Sequence, residues 1–350
     1  MGSSDNLSAV LKCAKTIALE DTPVPQPLPG QVQMRMHSVG ICGSDVHYWQ
    51  HMRIGDTYVV PEPMILGHES SGTVTKLGEG VTNLSVGDKV AIEPGVPCAH
   101  CSFCKAGTYN LCPDVAFLAT PPIHGSLRRF HCHAASFCYK LPDSVSLEEG
   151  ALLEPLAVAV HACRRAHITA GDRVLVCGAG PIGLVNAMVA SASGATDIVC
   201  TDIDDKRLEM AKQCGATHVI NVRGLTNEGA VEQIRIMLGG HKADKAIECS
   251  GAQPSVKLAI HSVKASGTVV LVGMGPYDEI KIPVMTMSTR EIDIRGIFRY
   301  ANCYPAALEL VKSGKVDIKK LVTHRFPIEK TVEAFETTLR GEGIKIVINC

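Results

Sequence analysis

The sequence predicts an α/β protein of two domains, a small β-barrel followed by a doubly wound parallel sheet. Three observations lead there. Residues 30–95 read as short alternating segments punctuated by glycine. From about residue 150 the texture changes to strand, glycine-rich turn and helix in repetition. A length of 350 residues suits two domains better than one, since domains usually run ~100–200 residues.

In the barrel region Val32–Ser38 and Gly72–Gly78 alternate apolar with polar positions, and Gly87–Ile92 closes the series. Arg173–Cys177 is instead a continuous apolar run, as expected of a parallel strand buried on both faces, and Ile182–Ser193 has helical length. Further strands are expected at 197–201, 217–220, 244–249 and 267–273. Beyond residue 297 come two helical patterns, Tyr304–Ser313 and Thr331–Arg340, and a last strand, Ile344–Asn349, able to return to the first domain.

Charge excludes some functions. Lys and Arg number 34 against 35 Asp and Glu, a formal net charge of −1, and no run of one sign provides a footprint for nucleic acid. The N-terminal stretch has no apolar core of signal-peptide type, and no segment is long enough to cross a bilayer, so a soluble, cytoplasmic protein is expected. The fifteen cysteines are mostly scattered singly through apolar segments, a pattern of reduced thiols and metal ligands more than of a disulfide framework.

Gly178, Gly180 and Gly183 stand at G-x-G-x-x-G spacing between a buried strand and a helix. The first glycine permits the tight turn, the second lets backbone approach a pyrophosphate, and the third lets the helix sit close on the strand. Pro181 and Ile182 complete that turn, where the positive end of the helix dipole meets the phosphates. Asp202 follows at the end of the next strand, where an acid is expected to accept hydrogen bonds from the adenosine ribose and repel a 2′-phosphate. Asp204 and Asp205 are better placed than Asp202 to cap the following helix. The acid favours NAD, although Lys206 and Arg207 lie where an arginine would accommodate NADP.

Cys98, Cys101, Cys104 and Cys112 are spaced C-x2-C-x2-C-x7-C, four thiolates that can saturate one tetrahedral zinc and lock a loop. Cys112-Pro113 echoes a ferredoxin ending, but seven residues before the last cysteine, where that run has three, argue against an iron–sulfur cluster. Cys42 and the pair His68-Glu69 form a second, ligand-poor set at strand–loop edges of the barrel. Taken singly, such a cysteine is most often a small buried hydrophobe and such a histidine a satisfied core residue.

Gly67-His-Glu-x-x-Gly72, with Gly78 and Val81, resembles the zinc signature of the medium-chain alcohol dehydrogenases. More narrowly, Val39–Trp49, Leu153–Leu156, His161–Arg165 and Ile297–Tyr300 resemble the sorbitol (L-iditol) dehydrogenase branch, over essentially the whole chain. The resemblance implies a GroES-like catalytic domain from residues 1–155 and 297–350 with a Rossmann NAD-binding domain, 156–296, inserted. It implies a catalytic zinc on Cys42, His68 and Glu69, with Glu154 reached through water or exchanging, and a structural zinc on the four cysteines. Cys42 and Glu69 already neutralise a divalent ion, which argues for keeping Glu154 outside the first shell. Simple-alcohol enzymes carry a second cysteine near Glu154, and none is present here.

The resemblance further implies a proton relay at Ser44 and His47 and polyol contacts at Tyr48, Phe117, Arg299 and Tyr300. It also implies contacts to the nicotinamide half of NAD from Val272, Gly273, Met274, Ile297, Phe298 and Arg299, and a homotetramer. Pro122–Gly125 and Val60–Pro63 depart from the family's pattern and bear on substrate preference. Trp49 reads as packing more than as a substrate contact. Two rivals stand beside a polyol dehydrogenase: another zinc enzyme of the superfamily acting on threonine or simple alcohols, and a nucleotide-binding structural protein.

Overall fold

The computed structural model describes residues 6–275 and 279–350; the first five residues of the N-terminal stretch read above lie outside them. The chain divides into two compact units, Met1–Glu154 with Tyr304–Cys350, and Pro155–Cys303. Both chain ends therefore build the first unit.

The first unit begins with a small sheet of Leu7–Cys13, Thr16–Asp21 and Met64–Ile65. Strand β1, Gln31–Gly40, leads into helix α1, Gly43–His51. Strands β2, Glu69–Leu77, β3, Lys89–Ile92, β4, Phe130–Ala134, and β5, Cys138–Lys140, follow before helix α2, Leu153–Ala166. Of these strands β1 and β2 are the ones whose alternation shows in sequence; β4 alternates in burial without an alternation of residue types, and β5 is only three residues long.

The second unit alternates strand and helix: β6, Arg173–Cys177; α3, Pro181–Ala192; β7, Asp197–Asp202; α4, Asp205–Gln213; β8, His218–Asn221; β9, Ala243–Glu248; β10, Val263–Leu271; and β11, Asp293–Gly296, with helices Asn227–Met237, Gln253–Ser262 and Val284–Thr289 between the last four strands. All pair in parallel in the order β8-β7-β6-β9-β10-β11. That is the strand order of a dinucleotide-binding sheet, which reverses beside β6 and opens a crevice at the carboxyl ends of the strands. Val174, Leu175, Val176 and Cys177 are fully buried, the reason this strand shows no polar alternation.

The chain then adds Tyr304–Lys312 and Thr331–Leu339 as helices, and strands β12, Val322–Pro327, and β13, Lys345–Asn349. Strand β13 pairs with β1, so the main sheet of the first unit runs β5-β3-β2-β1-β13-β12, with β4 also on β1. Trp49 packs edge-on to Phe335 at 5.7 Å within the same core as Leu66 and Ile348. Helix α1 was among those not expected: it follows Cys42 directly, and its Gly-Ser-Asp opening reads in sequence as a turn. The main-chain N–H of Cys42 donates to Asp45 Oδ2 at 3.1 Å, which fixes the helix start.

Candidate active site

Strand β1 ends at Gly40, two residues before Cys42, while Glu69 opens β2 and His68 immediately precedes it. The two strands pair with Gly40 opposite Glu69. This register delivers the three side chains to one place: ligand atoms of Cys42, His68 and Glu69 all lie within 4.8 Å of one another. His68 and Glu69 are buried, Cys42 half-buried.

Asp45 ties the two ligand segments together. Its Oδ2 accepts from Cys42 N and its Oδ1 from Gly67 N at 3.0 Å, and the same Oδ1 lies 3.6 Å from His68 Nδ1. That last separation is too long for a hydrogen bond. His68 Nδ1 is buried with no hydrogen-bond partner among the described residues. Burial opposes ionisation of Asp45, but His68 and the two main-chain donors outweigh it and hold its pKa low. Burial likewise pulls His68 down, yet Asp45 and the Cys42 sulfur turn its net shift upward.

A fourth residue enters from the far end of the chain. Lys345, the first residue of β13, is 4% exposed, and its Nζ donates to both Glu69 oxygens at 2.7 Å and to the Ile41 carbonyl at 3.1 Å. Desolvation works against the ammonium, but Glu69 and Cys42, with Glu154 adding a smaller contribution, raise its pKa. Glu154 is buried in the first turn of α2 and is not among the three converging ligands.

The donor set fits a catalytic zinc: one sulfur, one imidazole and one carboxylate, short of the four that would close the site. The buried, unpartnered nitrogen of His68 supports that fit.

Phe117 lies beside the set, its ring centroid 5.8 Å from that of His68, and Tyr48 is buried on α1. Ser44 and His47 share the same helix; His47 is exposed and stacks edge-on to His51 at 4.8 Å. No hydrogen bond joins Ser44 to His47 among the described residues.

The four-cysteine lobe also closes on itself. Cys98, Cys101, Cys104 and Cys112 converge within 4.8 Å, with sulfur–sulfur separations of 3.4 Å for Cys101–Cys104 and 4.0 Å for Cys98–Cys104. These bracket the edge, about 3.8 Å, of a tetrahedron with ~2.3 Å zinc–sulfur bonds. Main-chain N–H groups of His100 and Cys101 hold the Cys98 thiol down to about 6, so it is ready to bind as thiolate. Four protein ligands leave no position for substrate. Tyr109 of this lobe donates to Glu93 Oε1 at 2.6 Å and so docks it on the residue that follows β3.

In the second unit the glycine turn has the geometry its spacing implies. Gly178 takes φ +96°, and a Cβ on Gly183 would overlap the Gly178 carbonyl, whereas one on Gly180 would meet nothing within 4 Å. Pro181 starts α3 and Ile182 follows it. Asp202 ends β7; its Oδ2 accepts from Ala179 N at 2.7 Å and its Oδ1 from Ile203 N and Asp204 N. Asp204 caps α4 through Arg207 N.

A carboxylate has about four acceptor sites, so Asp202 retains capacity for one further donor. It lines a cavity of about 380 Å3 together with Gly178, Ile203, Arg207, Val222 and Ser250. Val272 and Gly273 follow β10, both donating to the Glu248 carbonyl, and Ile297 follows β11, donating to Leu271. Met274 is exposed. Arg299 is held at φ +52°, its guanidinium 4.6 Å over the Phe298 ring, and Tyr300 is buried.

A barrel unit with an open three-ligand metal set, a saturated cysteine lobe and a six-stranded dinucleotide sheet define a zinc-dependent nicotinamide dehydrogenase. Comparison with known proteins narrows the class. Residues 28–143 match the alcohol dehydrogenase GroES-like domain and residues 181–313 the zinc-binding dehydrogenase domain. Sorbitol dehydrogenase of Gallus gallus is 53% identical over 99% of this chain and 97% of its own length, and that of Bos taurus 51% over 99% and 96%. The crystal structure of an Escherichia coli oxidoreductase of unknown specificity superposes with a TM-score of 0.92, 39% identity and coverage of 98% and 99%. The chain belongs to the sorbitol dehydrogenase family of zinc-binding dehydrogenases.

Asp45, Gly40 and Lys345 are the site residues that sequence reasoning passed over. An acid three residues after Cys42 is a capping signal and marks Asp45 in retrospect. No local signal marks Lys345.

Proposed function

We propose that the protein interconverts a polyol such as sorbitol, xylitol or L-iditol with its 2-ketose, using NAD(H). The observation that carries this is the open set of Cys42, His68 and Glu69 in a chain that belongs to the sorbitol dehydrogenase family. When bound, zinc supplies a Lewis acid that favours ionisation of a substrate hydroxyl, and NAD supplies the hydride acceptor.

The chain's own groups do the rest. Cys42, His68 and Glu69 hold the metal, Asp45 orients the first two, and the second unit binds NAD through the glycine turn and Asp202. Asp202 favours NAD over NADP because an acidic side chain at the ribose repels a 2′-phosphate. Ser44 and His47 carry the released proton outward, which suits an exposed His47 whose imidazole burial and neighbouring His51 keep below its usual pKa and neutral. Tyr48, Phe117, Arg299 and Tyr300 recognise the substrate, Arg299 by its fork of donors. Glu154 acts beside the metal, through water or by exchange. Val272, Gly273, Met274, Ile297 and Phe298 serve the nicotinamide half of the cofactor.

We also assign the protein to the cytoplasm and to a homotetramer. No helix among the described residues is long and apolar enough to cross a membrane, and none of the fifteen cysteines is joined in a disulfide. Among the described residues strand β11 pairs on one side only, and Val284 and Met285 in the preceding helix are 59% and 75% exposed, features that invite a second copy.

Steady-state oxidation of sorbitol, xylitol, L-iditol, L-threonine and ethanol, with NAD and with NADP, before and after chelation, tests the reading. Chelator-sensitive, NAD-linked turnover of the polyols supports it. Preference for threonine or ethanol, or a zinc-loaded protein inert toward every polyol, contradicts it.

A further inference from the structure

We propose that Lys345 is a positioning residue of the metal centre that restricts Glu69 to ligation through one oxygen, keeping one position of the metal free of protein oxygen. The inference rests on the reading of Cys42, His68 and Glu69 as the zinc ligands and adds a residue to it.

The geometry is specific. The ammonium sits 2.7 Å from both Glu69 oxygens, so each oxygen already spends a lone pair on the same donor. With about four acceptor sites on a carboxylate, the lone pairs left over point away from one another and cannot both reach one ion. The ammonium is itself fixed by a third bond to the Ile41 carbonyl, next to the ligand Cys42. The β-ladder fixes it from below, because Ile41 N donates to the Ile346 carbonyl at 3.0 Å. Both partners are nearly inaccessible, at 4% and 1%, so neither has water as an alternative.

The chemical need is equally plain. Cys42 and Glu69 supply two negative charges, enough to neutralise a divalent ion, and three protein ligands leave the vacancy that a catalytic zinc requires. A carboxylate free to chelate through both oxygens would fill that vacancy. Methionine in place of Lys345 leaves such a carboxylate, with the metal as its counter-cation among the described residues. Loss of Lys345 therefore leaves metal binding at least as tight while closing the site to substrate. A lysine that merely props up the fold would do the reverse.

The test uses full-length Lys345→Met, Lys345→Gln and Lys345→Arg, with wild type and Cys42→Ala alongside. The Gln variant donates to one oxygen only and serves if the buried carboxylate of the Met variant prevents folding. Cobalt replaces zinc, and subtracting the Cys42→Ala spectrum isolates this centre from the four-cysteine site. In the Met and Gln variants we expect a shifted visible ligand-field band, as a second Glu69 oxygen takes the fourth position that wild type leaves open. Metal affinity in chelator competition should be no lower than wild type, with kcat down about ten- to a hundredfold, the range typical of outer-shell partners. Lys345→Arg should restore the wild-type spectrum. An unchanged cobalt spectrum in the Met and Gln variants, or metal affinity falling tenfold or more, overturns the proposal. If Cys42→Ala leaves the cobalt spectrum intact, the ligand assignment itself fails, a different outcome from failure of Lys345 alone.

Discussion

Gly40 and Glu69 face each other across β1 and β2, and a Cβ on Gly40 would overlap Glu69 Oε2. The carboxylate has nowhere cheap to go, because Lys345 grips both its oxygens. Gly40→Ala is therefore expected to displace a metal ligand while leaving the sheet paired. Polyol turnover should fall about ten- to a hundredfold, with thermal stability lowered by roughly 1–3 kcal/mol, the usual range for overpacking. Unaltered kinetics would show that Glu69 can move without consequence.

Asp45 holds Cys42 and Gly67 by their main-chain N–H groups and faces His68. Asp45→Ala removes two main-chain hydrogen bonds, at Cys42 and beside His68, together with the charge that faces His68. Zinc affinity of the centre, measured by chelator competition, should drop about ten- to a hundredfold. Asp45→Asn, which keeps one acceptor oxygen, should lose less.

The two cysteine sets should separate experimentally. Cys101→Ala opens the saturated lobe that Tyr109 docks on Glu93, so it should lower the melting temperature and shed one zinc before it alters chemistry. Cys42→Ala should abolish turnover with the fold retained. Circular-dichroism melts and metal content on both variants decide; equal loss of stability would remove the distinction.

Asp202 accepts three main-chain donors and borders the cavity beside Arg207. A hydrogen bond from a ribose hydroxyl to a carboxylate is worth roughly 1.5–3 kcal/mol, so Asp202→Ala should raise the Kd for NAD on the order of ten- to a hundredfold. NADP should suffer less, since the repulsion of its phosphate is lost together with the bond to Ala179 N. Titration of both nucleotides checks this, and an unchanged ratio would relocate the ribose contact.

Acid sensitivity should come in part from His133. Burial pushes this imidazole down to about 4, against the pull of its bond to the Glu93 carbonyl. Its folded pKa lies below the unfolded value, so the unfolded chain takes up the proton first. The contribution is complete above about 6.5 and is lost as pH falls toward about 4, roughly 3 kcal/mol in all. His131, also depressed by burial and by Arg128, adds in the same direction. His133→Gln retains a donor for Glu93, and its melting temperature should fall less steeply from pH 7 to 4 than that of wild type.

Legibility in the sequence followed the range of the interaction. The turn Gly178–Gly183 and Asp202 are local features whose chemistry depends on near neighbours, and their geometry could be read from spacing. Strand β6 was plain because burial on both faces leaves it no polar position after Arg173. Helix α1 was not, since its Gly-Ser-Asp start resembles a turn until the hydrogen bond from Cys42 N to Asp45 is seen. Strand β11, four residues long with two of them charged, has too little apolar pattern to announce itself. Lys345 is the extreme case. It lies 276 positions from Glu69, and a lysine opening an apolar strand reads as a solvated strand end. Only the pairing of β13 with β1 brings it into the metal centre.

The most direct test of the whole account is zinc content per chain, determined on wild type and on folded Cys42→Ala, with sorbitol turnover measured on the same samples. Two zinc ions falling to one, together with complete loss of NAD-linked oxidation, is the predicted result. An unchanged metal content with wild-type turnover in Cys42→Ala would contradict it.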